Sequence, residues 1–171
     1  MRGWGHGRYA TRAVTPGGGH PAYPFTNWPT QFHDPDVGYA WYVLGGSMVT
    51  QINVPDGNEF VANTLSDWID AVLADHADEV AQAGGLLAVH DWRLLCSYSS
   101  RARTTWYERM KQRPKNYLRR AVVVVGDTPL LKMAVAGARL MATLSLVGDV
   151  ELAHDIDKVL AQYPLRRPAA R

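Results

Sequence analysis

The chain has 171 residues and a net charge of +2, and 47% of its residues are apolar and 20% charged, which excludes a wholly disordered protein. A single cysteine, Cys96, excludes an internal disulfide framework and a multi-cysteine metal site. The first ten residues form no apolar segment, and no run of about 20 apolar residues follows, so we expect a cytoplasmic protein without a secretory leader or a membrane span.

The charge is distributed unevenly along the chain. Residues 1–33 hold three arginines and no acid, and residues 34–91 hold ten carboxylates and no lysine or arginine. Residues 92–148 hold eleven basic side chains against two acidic ones. This division indicates two faces of opposite charge, or two segments that pair with each other. The plain alternative is a set of solvated helix faces that partly neutralise one another.

The composition predicts a folded domain between two tails. Residues 1–36 combine three consecutive glycines with five prolines and lack hydrophobic periodicity, which predicts a flexible tail. The aromatic residues of this tail are too many for a pure linker, so residues 25–32 either dock on the domain, the commoner outcome, or form a recognition segment. The domain itself is expected over 37–163, with a C-terminal tail at 164–171.

The first half of the domain changes from strand to helix patterns. Two strand-like runs, 39–44 and 48–54, flank Gly45 and Gly46 and predict a β-hairpin. From 58 to about 83, apolar residues recur every three or four positions, which predicts one helix. The apolar run at 86–89 then predicts a buried strand.

The second half continues this alternation of helix and strand. The predicted elements are a helix from 99 or 100 to about 113, a strand at 121–125, a helix from 127 or 128 to about 146, a strand at 150–153, and a helix from 155 to near 163. The alternation predicts an α/β fold with a mostly parallel sheet, an N-terminal β-hairpin at its edge, and about four helices.

The predicted helix at 128–146 is apolar nearly all round, and its only charged residues are Lys132 and Arg139. Such a helix is buried on more than one side. The pattern therefore predicts cover from the N-terminal tail or from a second subunit, and a lipid-binding face is the rarer alternative.

Signals for catalysis are weak. No two histidines have the spacing of metal ligands, and no nucleophile or phosphate-loop motif occurs. His90 and Asp91 end a predicted parallel strand, where α/β folds place their sites, yet neighbours in a strand point to opposite faces. We therefore predict no catalytic residue, no metal and no cofactor. Cys96 is expected to be a buried structural cysteine rather than a reactive thiolate.

Eight basic residues lie between Arg101 and Arg120, interleaved with three aromatic residues. Their charge suits nucleic-acid phosphates or an acidic membrane. They match no recognition module, however, so the expected role is solubility or pairing with the acidic first helix. We expect neither nucleic acid nor a membrane as a partner.

Two segments carry a resemblance to a known family. Residues 86–91, Leu-Leu-Ala-Val-His-Asp, form a strand that ends in Asp91, and Ser99-Ser100-Arg101-Ala102 lies at the following helix start. With the order of elements over 38–163, this resembles the STAS domain of anti-sigma-factor antagonists, in which such a strand precedes an Asp-Ser-Ser-Gly-like motif. The segments 91–93 and 129–133 are similar to those of single-domain bacterial STAS-like proteins.

The resemblance implies a non-enzymatic regulatory module that acts through protein contacts. It places Ser100 at the position phosphorylated in the antagonists and makes Ser99 the neighbouring candidate. The candidate binding residues beside them are Asp91, Arg101 and Arg103. The implied partner is a protein, of kinase or anti-sigma type, or a second copy of the chain.

Two other interpretations stay open at this point. One is a small-ligand or lipid-binding module of similar fold, which would use the apolar helix. The other is an enzyme that uses the end of the strand at 86–91.

Overall fold

The computed structural model describes residues 20–127, 149–163 and 165–168. The predictions for 1–19, for the apolar helix within 128–148, and for 164 and 169–171 lie outside the described residues. The strands are β1 (Phe32–Asp34), β2 (Gly38–Val43), β3 (Ser47–Ile52), β4 (Asp56–Gly57), β5 (Leu86–Trp92), β6 (Ser97–Tyr98), β7 (Leu118–Val125) and β8 (Val150–Ala153). The helices are α1 (Glu59–Asp75), α2 (Ala77–Gln82), α3 (Ser100–Gln112) and α4 (Ile156–Gln162).

Six of these strands form one sheet in the order β1-β2-β3-β5-β7-β8. The pairs β1–β2 and β2–β3 are antiparallel, whereas β3, β5, β7 and β8 run parallel to one another. The central parallel strands are apolar and buried on both faces, as residues 122–125 of β7 show. The predicted α/β class and the mostly parallel sheet are therefore confirmed, and the described residues contain four helices.

Side chains alternate between two layers along each strand. Even-numbered residues of β5, such as Ala88, pack against α1, α2 and α3, where Val72 and Met110 belong to the same apolar cluster. Odd-numbered residues, such as Val89, pack against Ile156 of α4 and against the segment at 21–28. Adjacent residues of one strand, such as His90 and Asp91, therefore face opposite sides of the sheet and do not contact the same groups.

The folded domain begins before residue 37, which corrects the predicted tail over residues 20–36. Phe25 has no exposed surface, and its ring lies 4.9 Å from that of Trp28 and 5.3 Å from that of Trp41. The strand β1 then adds to the sheet edge beside β2. Burial of these aromatic rings outweighs the turn-forming bias of the prolines.

The chain after α4 also contacts the domain. Leu165, within the predicted C-terminal tail, packs against the cluster that holds Phe25 and Ile156. Apolar burial again extends the domain beyond a boundary that was drawn from composition.

The predicted helix over 58–83 is two helices, because the chain leaves helical geometry at His76. The His76 ring stacks on that of Tyr42 with 3.7 Å between their centroids. Asn58 caps the start of α1, where its side chain accepts a hydrogen bond from the Val61 backbone N–H at 3.1 Å.

The acidic and basic halves of the chain pair where α1 packs on α3. Arg109 donates hydrogen bonds to Asp67 and, at 2.7 Å, to Asp70. Arg113, whose side chain is only 4% exposed, donates to Asp70 at 2.6 Å and to the Ser66 carbonyl at 3.1 Å. Part of the uneven charge distribution is therefore explained by ion pairs between the acidic segment and the basic segment of the chain.

Candidate functional site

The helices α1 and α3 begin side by side at the carboxyl edge of the parallel strands. Two short strands produce this arrangement, because β4 pairs with β6 in parallel and each leads directly into a helix. The pairing brings Gly57 against Tyr98, and a Cβ added at Gly57 would lie 2.2 Å from the Tyr98 ring. Only glycine fits there, so this contact fixes the two helix starts beside each other.

The two adjacent serines at the start of α3 have different roles. The Ser99 hydroxyl accepts a hydrogen bond from the Ala102 backbone N–H at 3.1 Å, and the Ser99 backbone N–H donates to the Gly57 carbonyl at 2.9 Å. Ser99 is therefore the helix N-cap. Ser100 is the first residue of α3 and is exposed. Its hydroxyl is thus accessible to a modifying enzyme or a partner.

Exposed basic and apolar side chains lie in the segments that lead into and form these two helix starts. Arg101 and Arg103 are exposed, and neither forms an ion pair among the described residues. Two large apolar side chains at the same edge are half exposed, Phe60 at 51% and Leu94 at 52%. We define the helix-start surface by these five residues. It combines positive charge, exposed apolar area and the amino end of a helix.

Cys96 lies near this surface and is exposed, which corrects the prediction of a buried cysteine. The turn between β5 and β6 carries it outward, whereas its neighbour Leu95 is fully buried and packs among the residues of α1. In this turn the apolar anchor is Leu95, so Cys96 is not needed for the core.

Asp91 lies in the other layer, apart from the helix-start surface. It is 3% exposed and accepts hydrogen bonds from Arg93 Nε at 2.8 Å, from Arg93 Nη2 at 2.9 Å and from Gln51 Nε2 at 3.0 Å. The hydrogen bond with Asp91 raises the pKa of Arg93. The structure therefore assigns this carboxylate to a paired, largely buried contact and does not bring it together with Ser99 or Ser100.

The same contact holds the N-terminal segment against the sheet, a feature that the sequence did not reveal. Gln51 accepts from the Ala22 backbone N–H at 2.7 Å and donates to the Ala22 carbonyl at 3.1 Å. Arg93 donates to the Tyr23 carbonyl at 2.6 Å, and the Tyr23 hydroxyl donates to Asp157 at 3.0 Å. The only sequence signal is a glutamine within an apolar strand, since a buried amide needs partners.

His90 faces α3, on the side of the sheet opposite Asp91. Its Nδ1 lies 2.8 Å from the Thr50 hydroxyl, which occupies one ring nitrogen. Burial, with a contribution from the Arg113 charge, lowers the pKa of His90 to about 4. The imidazole is therefore neutral at neutral pH, and it does not form a dyad with Asp91.

No protein-family model matches the chain, and no curated protein matches it. Across 20–127, 149–163 and 165–168, no helix has both the length and the apolar character needed to cross a membrane. Within these ranges no three His, Cys, Asp or Glu side chains are grouped as metal ligands would be.

Proposed function

We propose that the chain is a STAS-like, non-enzymatic regulatory module of the cytoplasm that binds a partner protein through the helix-start surface. In this proposal Ser100 is a phosphorylation switch. The observation that carries it is the division of roles between the two serines, because Ser99 forms the cap while Ser100 stays exposed at the first position of α3.

A phosphate on Ser100 suits the local electrostatics. The amino end of a helix carries unpaired N–H groups and a partial positive charge, both of which stabilise an added anion. Arg101 and Arg103 lie within one turn and are free of ion pairs with other described residues, so they are available to the phosphate. The modification would change the surface from basic to about neutral without disturbing the cap.

The unmodified surface defines the chemistry of the partner. Two exposed guanidinium groups favour acidic side chains on the partner, and Phe60 and Leu94 offer apolar area that a binding partner would cover. A partner of kinase or anti-sigma type fits this description if its contact face is acidic with an apolar centre. Phosphorylation would then release it by removing the charge complementarity.

The positions of the two side chains considered for catalysis, His90 and Asp91, support a non-enzymatic function. His90 and Asp91 face opposite layers, and each is already hydrogen-bonded within the fold. The alternative lipid-binding interpretation rests on the apolar helix within 128–148, which lies outside the described residues.

Matched variants of the full chain test this proposal. Immobilised wild-type, Ser100→Ala and Ser100→Asp chains are incubated with lysate, and the retained proteins are quantified by mass spectrometry. We expect the wild-type and Ser100→Ala chains to retain the same partner and the Ser100→Asp chain to lose it, with little change in melting temperature. Thr104→Asp is the control. Thr104 is exposed and lies one helical turn after Ser100, so this variant adds the same charge at a different position of α3 and should retain the partner.

Equal retention by Ser100→Asp and Ser100→Ala would rule out the switch. Equal loss from Thr104→Asp and Ser100→Asp would show a general charge effect instead of a site at the helix start.

A further inference from the structure

Three polar side chains converge at the carboxyl edge of the parallel strands, in the layer that holds α4. Gln51 of β3 and Asp91 of β5 are register partners, each one residue from the end of its strand, and Arg93 follows directly after β5. Asp91 accepts hydrogen bonds from both of the others, which fixes the Gln51 amide beside the Arg93 guanidinium. We call these three residues the backbone clamp.

The backbone clamp binds main-chain atoms of residues 22 and 23. The Gln51 amide accepts from the Ala22 N–H and donates to the Ala22 carbonyl. Arg93 donates to the next carbonyl, that of Tyr23. Pro21, which precedes them, is buried, whereas the Tyr23 side chain is 61% exposed. These contacts therefore recognise a peptide backbone with a proline at its buried position, and they place few demands on the side chains that follow.

Residues 20–24 and the segment after them are held in different ways. From Phe25 onward, burial of aromatic rings anchors the chain. The hydrogen bonds that join Tyr23 to Arg93 and to Asp157 are exposed to solvent. When the segment opens, each of them is exchanged for a hydrogen bond with water, so its net contribution is small. Residues 20–24 can therefore leave the clamp while Phe25 keeps the rest of the segment in place.

The chemistry of the backbone clamp suits reversible occupancy. A purely apolar contact would hold a fixed segment at least as firmly as a buried carboxylate and guanidinium do. The polar groups of the clamp, in contrast, remain hydrogen-bonded to one another and to water when the segment leaves. The clamp also lies at the carboxyl ends of adjacent parallel strands, where α/β folds place their ligand sites.

We propose that the backbone clamp is a binding site for a proline-containing peptide of a partner protein, and that residues 20–24 occupy it as a displaceable latch. The partner's proline replaces Pro21, and its next two residues present their main-chain groups to Gln51 and Arg93. The clamp lies in the layer opposite α3, so this site is separate from the helix-start surface and does not depend on Ser100.

A synthetic peptide that copies residues 20–24, acetyl-His-Pro-Ala-Tyr-Pro-amide, tests the site on the full chain labelled with ¹⁵N. Because the peptide is unlabelled, displacement of the latch moves the Ala22 and Tyr23 amide signals to the positions of an unfolded segment. A tethered segment has an effective concentration in the millimolar range, so peptide added up to about 10 mM should displace the latch in a saturable way. The Trp41 indole signal, which reports the anchored part through its hydrogen bond to Pro29, should not move. A control peptide with alanine in place of its first proline should displace the latch about tenfold less effectively.

Tyr23→Phe in the chain weakens the latch without changing the site. It removes the hydrogen bond to Asp157 and leaves the backbone clamp intact, so the open fraction rises. The apparent affinity for the unaltered peptide should therefore increase about threefold. Tyr107→Phe, on α3 in the other layer, is the matched control and should leave the affinity unchanged.

No displacement of Ala22 and Tyr23, or equal displacement by the alanine peptide, would overturn the proposal. An unchanged affinity in Tyr23→Phe would also overturn it. Movement of the Trp41 indole signal together with the latch would show a general loosening of the segment and would count against the proposal as well. None of these results bears on the retention of a partner by the Ser100 variants.

Discussion

Replacing Phe25 by Ala should destabilise the domain by about 3–5 kcal/mol, the usual cost of removing a buried aromatic side chain. The structure sets this magnitude, since Phe25 is fully buried and contacts the rings of Trp28 and Trp41. Transfer of the side chain accounts for about 2–3 kcal/mol, and the lost aromatic pairs and the cavity for the rest. If residues 20–36 were a tail, the same substitution would have almost no effect.

Thermal unfolding followed by circular dichroism measures this difference. For a chain of this length we expect the melting temperature to fall by about 10 °C. Phe60→Ala is the matched control, because Phe60 is 51% exposed on a helix, and its free energy of unfolding should change by about 0.5 kcal/mol or less. A Phe25→Ala chain that melts like the control would refute the inclusion of the N-terminal segment in the fold.

Three further predictions concern stability. Ser99→Ala removes the cap of α3 and should cost about 1 kcal/mol in urea unfolding, whereas Ser100→Ala should cost almost nothing. Burial lowers the pKa of His90 from 6.5 to about 4, so the unfolded chain takes up this proton first as pH falls. The free energy of unfolding should therefore be highest above pH 6.5 and should fall by about 3 kcal/mol as the pH is lowered from 6.5 towards 4. In His90→Gln this fall should be absent, because the variant has no imidazole to protonate at this position. Arg113→Met removes the hydrogen bonds to the Ser66 carbonyl and to one carboxylate oxygen of Asp70, and it should cost about 2 kcal/mol by chemical denaturation. The exposed Arg101→Met should cost about 0.5 kcal/mol or less.

Each of these has a contrary result. Equal costs for the two serine variants would contradict the assigned cap, and an unaltered pH profile in His90→Gln would contradict a neutral buried imidazole. An unchanged free energy of unfolding in Arg113→Met would show that the charge pairing between α1 and α3 contributes nothing to stability.

The periodicity of the sequence predicted the central part of the fold. The branched apolar run at 121–125 lies within β7, and 150–153 coincides with β8, because such runs favour buried parallel strands. The sequence did not reveal β4, β6 or β1, since strands of two or three residues carry no periodic signal. The interruption at His76 was also missed. The ring stack of His76 on Tyr42 joins distant parts of the chain, and local periodicity does not indicate such a contact.

The site was predictable only in part. The capping preference placed a helix start at Ser99 or Ser100, but it could not tell which serine is the cap. Asp91 was grouped with the serines from motif order, whereas the alternation of strand side chains places it in the other layer with Gln51 and Arg93. These partners come from other parts of the fold, so the local sequence does not indicate them.

The most direct test of the central claim is hydrogen exchange of the full chain, free and saturated with the partner that the wild-type chain retains. If the helix-start surface binds the partner, backbone amides in 57–62 and 97–104 become protected, and a chain phosphorylated at Ser100 shows no protection under the same conditions. Protection confined to α4, in the opposite layer, or unchanged protection after phosphorylation of Ser100, would contradict the account.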